Sequence, residues 1–437
     1  MQNKIKNYFL LLTGILIYLS YFLSYFLNEN SIGSGGYNGD LTWIWKNFEI
    51  FKSNDFLSSI KSKEFFGNRT PLFYLINIYF NPFIDTIDGY RLSVFIFFTL
   101  TPIIFFFTLQ SYFQDKNFYI LFSISTLILL SPYFRSSAVW AQEINYGILT
   151  LVTTFLFFIK FKKKENFFNL FFTTLFSSLC IYFDQKLLIV PLFCFIYIIF
   201  KSNLNLKSKL FSSLLYFIFS LPYLYLIILW GGIVPPLTQM SNNQAFNSIE
   251  NFNLHFYHLG FAATMIALYL VPVILLKEEI NYKKIKFFFN QNYLKILLPL
   301  LLYLFIYIYF DWYDVVISKQ YTTVSGGSYG LGFANKLSIL FFDNINLREL
   351  FIYFAFTGAW LIILYALDLK ATNWILIIYF FILSIILLPI MQEYFDPYIF
   401  LLSILMNTKN NFIFSFYRTM MASLYLGTAL SFAIFYY

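Results

Sequence analysis

Charge is scarce in this chain. Asp, Glu, Lys and Arg make up 11% of its 437 residues, against about a quarter in soluble globular proteins. Hydrophobic residues reach 59%, aromatics 24% and the mean hydropathy +0.69. A water-soluble fold could not bury so much apolar surface, so the composition excludes one. Cysteine is limited to Cys180 and Cys194, both inside apolar runs, which excludes a disulfide framework and a cysteine-rich metal site. Histidine is limited to His255 and His258. Their spacing can place both imidazoles on one helix face, but no further ligands flank them, and no metal site is assigned. A P-loop, a dinucleotide fingerprint and a histidine-glutamate metalloprotease motif are all missing. The net charge of +8 is spread among apolar segments rather than gathered in a stripe, so no nucleic-acid partner is expected.

Long apolar runs dominate instead. A bilayer needs about 20 residues of helix, and runs near that length occur at roughly 7–27, 90–110, 118–133, 144–161, 167–183, 187–200, 210–230, 258–276, 294–310, 350–367, 373–391 and 397–436. The expected fold class is an all-α integral membrane protein with about 11–13 transmembrane helices. If Lys4 and Lys6 hold the N-terminus in the cytoplasm, alternate loops carry Lys116, Lys160 to Lys164, Lys201 to Lys209, Lys277 to Lys286, Lys370 and Lys409. Roughly 18 of the 29 basic residues then fall inside and roughly 16 of the 21 acidic ones outside, the positive-inside pattern. The first run is followed by Asn28-Glu29-Asn30-Ser31 rather than a small-residue cleavage site, so it reads as an uncleaved anchor.

Three outer loops are long, at about 28–89, 231–257 and 311–349. The first carries Ser34 to Asp40 and the third Ser325 to Gly330, both rich in the Gly and Ser that allow turns and mobile flaps. Leu41 to Phe51 and Phe56 to Phe66 read as short interfacial helices. No internal repeat and no soluble domain is visible. Residues 1–200 form one transmembrane module including the first loop, and 201–437 add further helices with the other two loops.

Polar residues at the outer helix ends are the candidates for chemistry. Asp40, close to the membrane surface, is placed either as a general base or as an ordinary solvated aspartate. Arg69, in Asn68-Arg69-Thr70-Pro71-Leu72-Phe73-Tyr74, and Arg91, in Gly89-Tyr90-Arg91-Leu92-Ser93, present planar forks suited to phosphate oxygens. For Arg91 the alternative is snorkelling at the headgroup boundary. Asn68-Arg69-Thr70 is also a glycosylation sequon, uninformative without a eukaryotic source. Arg135 and Glu143 share one short outer turn, where they either pair with each other or face a cavity as functional groups. Asp184 and Lys186 sit at the apex of a tight hairpin, with Lys186 either a lipid-phosphate ligand or part of a hairpin cap. Asp311-Trp312-Tyr313-Asp314 and Gln392-Glu393-Tyr394-Phe395-Asp396-Pro397 suit sugar stacking with carboxylates on hydroxyls, or an interfacial aromatic belt. Tyr394 and Asp396 are taken from the second cluster as candidates.

In this order, the anchor, Asp40, Arg69 to Tyr74, Tyr90 to Ser93, and Arg135 followed by Glu143 resemble the amino-terminal module of the GT-C superfamily of polyprenyl-phosphate-sugar-dependent glycosyltransferases, near the aminoarabinose-transferase and protein O-mannosyltransferase branch. The resemblance covers roughly residues 7–200. It departs from the family in showing only Gly39-Asp40 where an Asp-Glu or Glu-containing motif is common, and in lacking a soluble carboxy-terminal domain. The resemblance implies transfer of a sugar, with inversion, from a polyprenyl-phosphate donor to a hydroxyl of a glycan, lipid or protein acceptor on the non-cytoplasmic side. Asp40 would be the base; Arg69, Arg91, Arg135 and Lys186 would hold the donor phosphate. Glu143, Asp184, Tyr394 and Asp396 would bind sugar or acceptor. No cofactor is assigned, with a divalent cation left as an alternative. A multi-pass protein of a bacterial inner membrane, with its site facing the periplasm, is expected. Two other readings share the architecture: a lipid-linked glycan flippase or exporter, and a polysaccharide polymerase or ligase. Secondary transporters often show repeated halves and broken midplane helices, whereas the charges here gather at helix ends.

Overall fold

A computed structural model of the chain describes residues 2–30, 38–67, 69–113, 116–241, 254, 256–277, 282–291, 293–309, 332–367, 371–386, 391–406 and 412–436. Every regular element among them is helical. Six helices are long and apolar enough to cross a bilayer: Gln2–Phe26, Ile87–Tyr112, Ile144–Lys163, Leu206–Trp230, Leu259–Lys277 and Asn346–Ala366. Phe118–Leu130 and Pro132–Val139 form a seventh span if taken together, bent by 67°. Phe167–Phe183, Gln185–Phe200, Ile296–Phe305 and Trp374–Ile386 are apolar but shorter. The chain is therefore a multi-pass α-helical membrane protein. Asp311 to Asp314, Ser325 to Gly330, His255 and Asn68 lie outside the described residues.

Burial separates two classes of span. About four-fifths of Ile144–Lys163 and of Leu259–Lys277 is buried (78% each), whereas only 17% of Leu206–Trp230 and 28% of Gln2–Phe26 is. The two buried spans are the cores of two packed groups. Ile144–Lys163 lies between Leu100–Tyr112 and Phe167–Phe183, and Leu259–Lys277 packs on Ile345–Leu367 and Phe416–Tyr436. The poorly buried spans expose Leu12, Leu16 and Leu19, or Leu210, Leu214, Phe217 and Ile228. In water these would be a liability; against acyl chains they are the expected surface. Small residues let the helices approach. A Cβ on Gly260 would lie 2.2 Å from the Phe356 ring, and one on Gly14 2.5 Å from Phe122, so glycine at both positions sets close helix contacts.

Contacts across the chain define two ends of the bundle. At one, Asn117 bonds Asn7, the Lys163 ammonium reaches Ser111 O, Asn203 N donates to Glu165, and Ile413 N donates to Leu276 O. Lys6, Lys116, Lys160, Lys162, Lys163 and Lys277 belong to this end. At the other, Arg91 reaches Asn28, Trp140 Nε1 donates to Glu29 O, Tyr90 OH donates to Ala141 O and Thr70 Oγ1 donates to Tyr182 O.

Local sequence explains the bends at this second end. Ser131 caps the helix behind it by accepting from Phe134 N, and Pro132, at its first turn, has no N–H to lose there. The span thus breaks without orphaning donors. Ala141 takes a left-handed conformation at φ 52°, which an L side chain adopts at a cost, and reverses the chain before Ile144. Gly147 completes the arrangement: a Cβ there would lie 3.2 Å from both Asp184 Cβ and Leu187 Cδ1. Its hydrogen lets the hairpin at Asp184 seat against the central span.

Candidate functional site

Asp184 ends the Phe167–Phe183 helix and begins the next turn. It is fully buried, its backbone N–H bonds Cys180 O, and its Oδ1 accepts from Lys186 N at 3.1 Å. Oδ2 accepts from the Tyr398 hydroxyl at 2.6 Å and lies 3.5 Å from Lys186 Nζ. Arg69 Nη2 is 3.8 Å from Oδ1. A carboxylate with no solvent is thus matched by two cations and a hydroxyl, the condition under which buried charge is tolerated.

Each cation is held in turn. Arg69 stands on a loop that Thr70 ties to Tyr182 O and that Gly67 ties to Thr238, whose hydroxyl exchanges bonds of 3.0 and 3.1 Å with the Gly67 amide and carbonyl. Asn47 clamps the same loop by bridging Phe66 and the Tyr74 hydroxyl. The Lys186 ammonium lies 4.6 Å from the Tyr394 ring, with Tyr398 and Tyr133 at 5.7 and 5.9 Å, a partly aromatic cage. Tyr379 OH donates to the Lys186 carbonyl at 2.7 Å, fixing its backbone.

Three more carboxylates complete the cluster. Glu143, at the N-cap of Ile144–Lys163, lies within the electrostatic reach of Arg69, Asp40 and Asp184. Glu393, buried in the Gln392–Tyr394 turn, feels Lys186, Arg69, Asp40 and Asp184. Asp40 accepts from Gln142 Nε2 at 2.6 Å. It lies in the first turn of the helix Asn38–Ser53 rather than on a glycine-rich flap, where the helix dipole favours its charge. Asp40, Arg69, Glu143 and Tyr394 are only partly buried, so the cluster is reached from the surface through them.

Burial disfavours charge on each of these groups, and the neighbours decide the outcome. At Asp184 burial is outweighed by Lys186, Arg69 and the Tyr398 hydroxyl, which hold the carboxyl below the usual carboxylate range. At Glu143 and Glu393 burial prevails over Arg69 and Lys186, and both carboxyls lie above their ordinary value. Burial also works against the Arg69 guanidinium, but Asp184 and Glu143 raise it, so it stays charged. Burial also pushes the Lys186 ammonium below its ordinary value, against the pull of Asp184 and Glu393, so the site sets one aspartate favoured in its charged form beside two glutamates in which burial disfavours it.

The sequence candidates divide accordingly. Asp40, Arg69, Glu143, Asp184, Lys186 and Tyr394 come together. Arg135 does not join them: its guanidinium grips Glu29 through Nε and Nη2, at 2.8–3.1 Å, and also donates to Ser20 and Leu129 O. It therefore pairs with Glu29 rather than with Glu143. Arg91 is also elsewhere, stacked between Tyr25 and Trp140 at 4.7 and 4.2 Å, with Nε donating to Val139 O. Asp396 lies behind the cluster, accepting from Tyr133 N at 3.1 Å beside Ser131 and Tyr269, and burial pushes its carboxyl up to about 6. Glu393 belongs to the acidic-aromatic cluster read from sequence at Gln392 to Pro397, although only Tyr394 and Asp396 were taken from it; Tyr398 and Gln142 were not singled out, and their only signal was a place within two residues of Asp396 and Glu143.

His258 is buried, with Nδ1 2.9 Å from Ser384 O. Among the described residues no three His, Cys, Asp or Glu side chains gather so as to hold a metal ion. Fold and site together define a polytopic helical membrane protein with an ionic cluster at the bundle end opposite Lys160, Lys162, Lys163 and Lys277. No family model, no curated protein and no solved structure matches the chain.

Proposed function

We propose that the cluster is the active site of a membrane glycosyltransferase that moves a sugar from a polyprenyl-phosphate donor to an acceptor hydroxyl. The observation that carries this reading is the meeting of Asp40, Arg69, Glu143, Asp184, Lys186 and Glu393, drawn from five separate stretches of chain, at one end of the bundle. The lysine-rich ends of the helices are cytoplasmic under the positive-inside rule, which sets the cluster on the outer side. In a bacterium that is the periplasmic face of the inner membrane, where the donor's sugar would be presented. The shorter apolar helices would serve as further spans.

Asp40, oriented by Gln142, accepts the proton as the acceptor oxygen bonds to the anomeric carbon. The bond from that carbon to the phosphate oxygen breaks with inversion, and polyprenyl phosphate leaves with the electron pair. Arg69 and Lys186 stabilise the charge gathering on that phosphate, while Asp184 positions both cations. Glu143, Glu393 and Tyr394 line the approach and suit sugar hydroxyls. Arg91 and Arg135 act at a distance, by holding the first span against the Pro132–Val139 helix. The test is transfer of labelled sugar in membranes carrying the native chain or Asp40→Asn at matched expression.

One observation favours a second reading. The break at Ser131-Pro132, bent by 67° beside buried charges, is a feature of transporters. Movement of lipid-linked glycan across proteoliposomes without turnover would support a carrier.

A further inference from the structure

We propose that the lysine-rich end of the bundle carries a binding site for one anionic phospholipid, separate from the cluster and independent of its function. A cavity of about 240 Å³ opens between the Leu259–Lys277 and Ile345–Leu367 helices and is walled by Val271, Ile274, Leu275, Leu361, Phe288 and Phe289. Its walls are apolar. Phe288 and Phe289 come from the helix Tyr282–Gln291, whose sequence Tyr-Lys-Lys-Ile-Lys-Phe-Phe-Phe-Asn-Gln sets aromatics beside lysines. Phe288 is buried and packs its ring 5.6 Å from Tyr365, whereas Lys283 and Lys286 are exposed. Such a helix lies in the headgroup layer with its apolar face inward.

The occupant follows from those two halves. Apolar walls take an acyl chain. Lys286, three residues before the wall residue Phe289, and Lys283, one turn earlier, are exposed on the same helix that walls the cavity, and lysines at headgroup level attract anionic lipid. The cavity belongs to the end where Ile413 N bonds Leu276 O and Phe412 and Phe414 pack on Phe113. It is thus in the leaflet opposite the cluster and is not the donor's groove.

The experiment is native mass spectrometry of the purified full-length protein with phosphatidylglycerol or phosphatidylcholine of equal chain length. The native chain retains one phosphatidylglycerol in preference to phosphatidylcholine by about tenfold. Lys283→Gln with Lys286→Gln, both at exposed positions, brings the two lipids to parity; Leu361→Trp, which fills the cavity, lowers retention of both. The proposal is overturned if the preference survives the double lysine change, if Leu361→Trp at an unchanged melting temperature retains lipid as the native chain does, or if inorganic phosphate displaces the lipid.

Discussion

The Tyr398 hydroxyl donates a 2.6 Å hydrogen bond to Asp184 across 214 residues of sequence. It joins the last third of the chain to the hairpin between Phe167–Phe183 and Gln185–Phe200, so the cluster is completed by both halves of the molecule. Hydrogen bonds to a buried charged group contribute about 1.5–3 kcal/mol. Tyr398→Phe should therefore lower the melting temperature of the solubilised protein and raise the pKa of Asp184. An unchanged melting curve would mean that the two halves do not depend on this contact.

Arg69 and Asp184 should behave as a coupled pair. Asp184→Asn leaves two buried cations without their carboxylate, a loss of about 3–5 kcal/mol; Arg69→Gln removes one of those cations. The double variant should be less destabilised than the sum of the singles, since it leaves fewer unmatched charges. Denaturation of all three variants measures the coupling, and strict additivity would place Arg69 outside the influence of Asp184.

Glu29 and Arg135 make the contrasting case. Both are nearly inaccessible, and their pairing ties the first span to the broken one. Glu29→Gln should cost about 3 kcal/mol in stability yet leave transfer per folded molecule near the native level. Loss of turnover in a well-folded Glu29→Gln protein would bring Arg135 into the chemistry.

Asp396 should give the fold a pH dependence of definite sign. Its carboxyl sits at about 6 in the folded protein against 3.8 ordinarily, so the folded state binds its proton more tightly. The contribution to stability is complete below about pH 4 and is lost as pH rises through 6, by a few kcal/mol at most. Asp396→Asn, which can still accept from Tyr133 N, should flatten that decline and raise stability at pH 7.5. A native melting temperature that stays level from pH 4 to 7 would contradict it.

The membrane architecture was legible in the sequence because a bilayer demands long apolar helices, and composition alone reports them. Asp40, Arg69, Glu143, Asp184 and Lys186 were legible because ionisable groups are rare in such a chain and these sit at helix ends. The partners were not. Arg135 is eight residues from Glu143 but bonds Glu29, 106 residues away, and so distant a partner leaves no periodic trace in the sequence. Glu393 and Asp396, three residues apart in one acidic-aromatic cluster, are separated only by the fold: Glu393 shares the field of Lys186 and Arg69, whereas Asp396 accepts from Tyr133 N.

The central claim is that Asp40 is the base of a sugar transfer at this cluster. Its most direct test is the rate of labelled-sugar transfer from polyprenyl phosphate in membranes holding equal amounts of native and Asp40→Asn protein, with Glu29→Gln as the structural control. The account predicts a loss of about 10²–10⁴-fold for Asp40→Asn and near-native transfer per folded molecule for Glu29→Gln. Full activity in folded Asp40→Asn, or no turnover by the native chain with any donor and acceptor from its source, would contradict it.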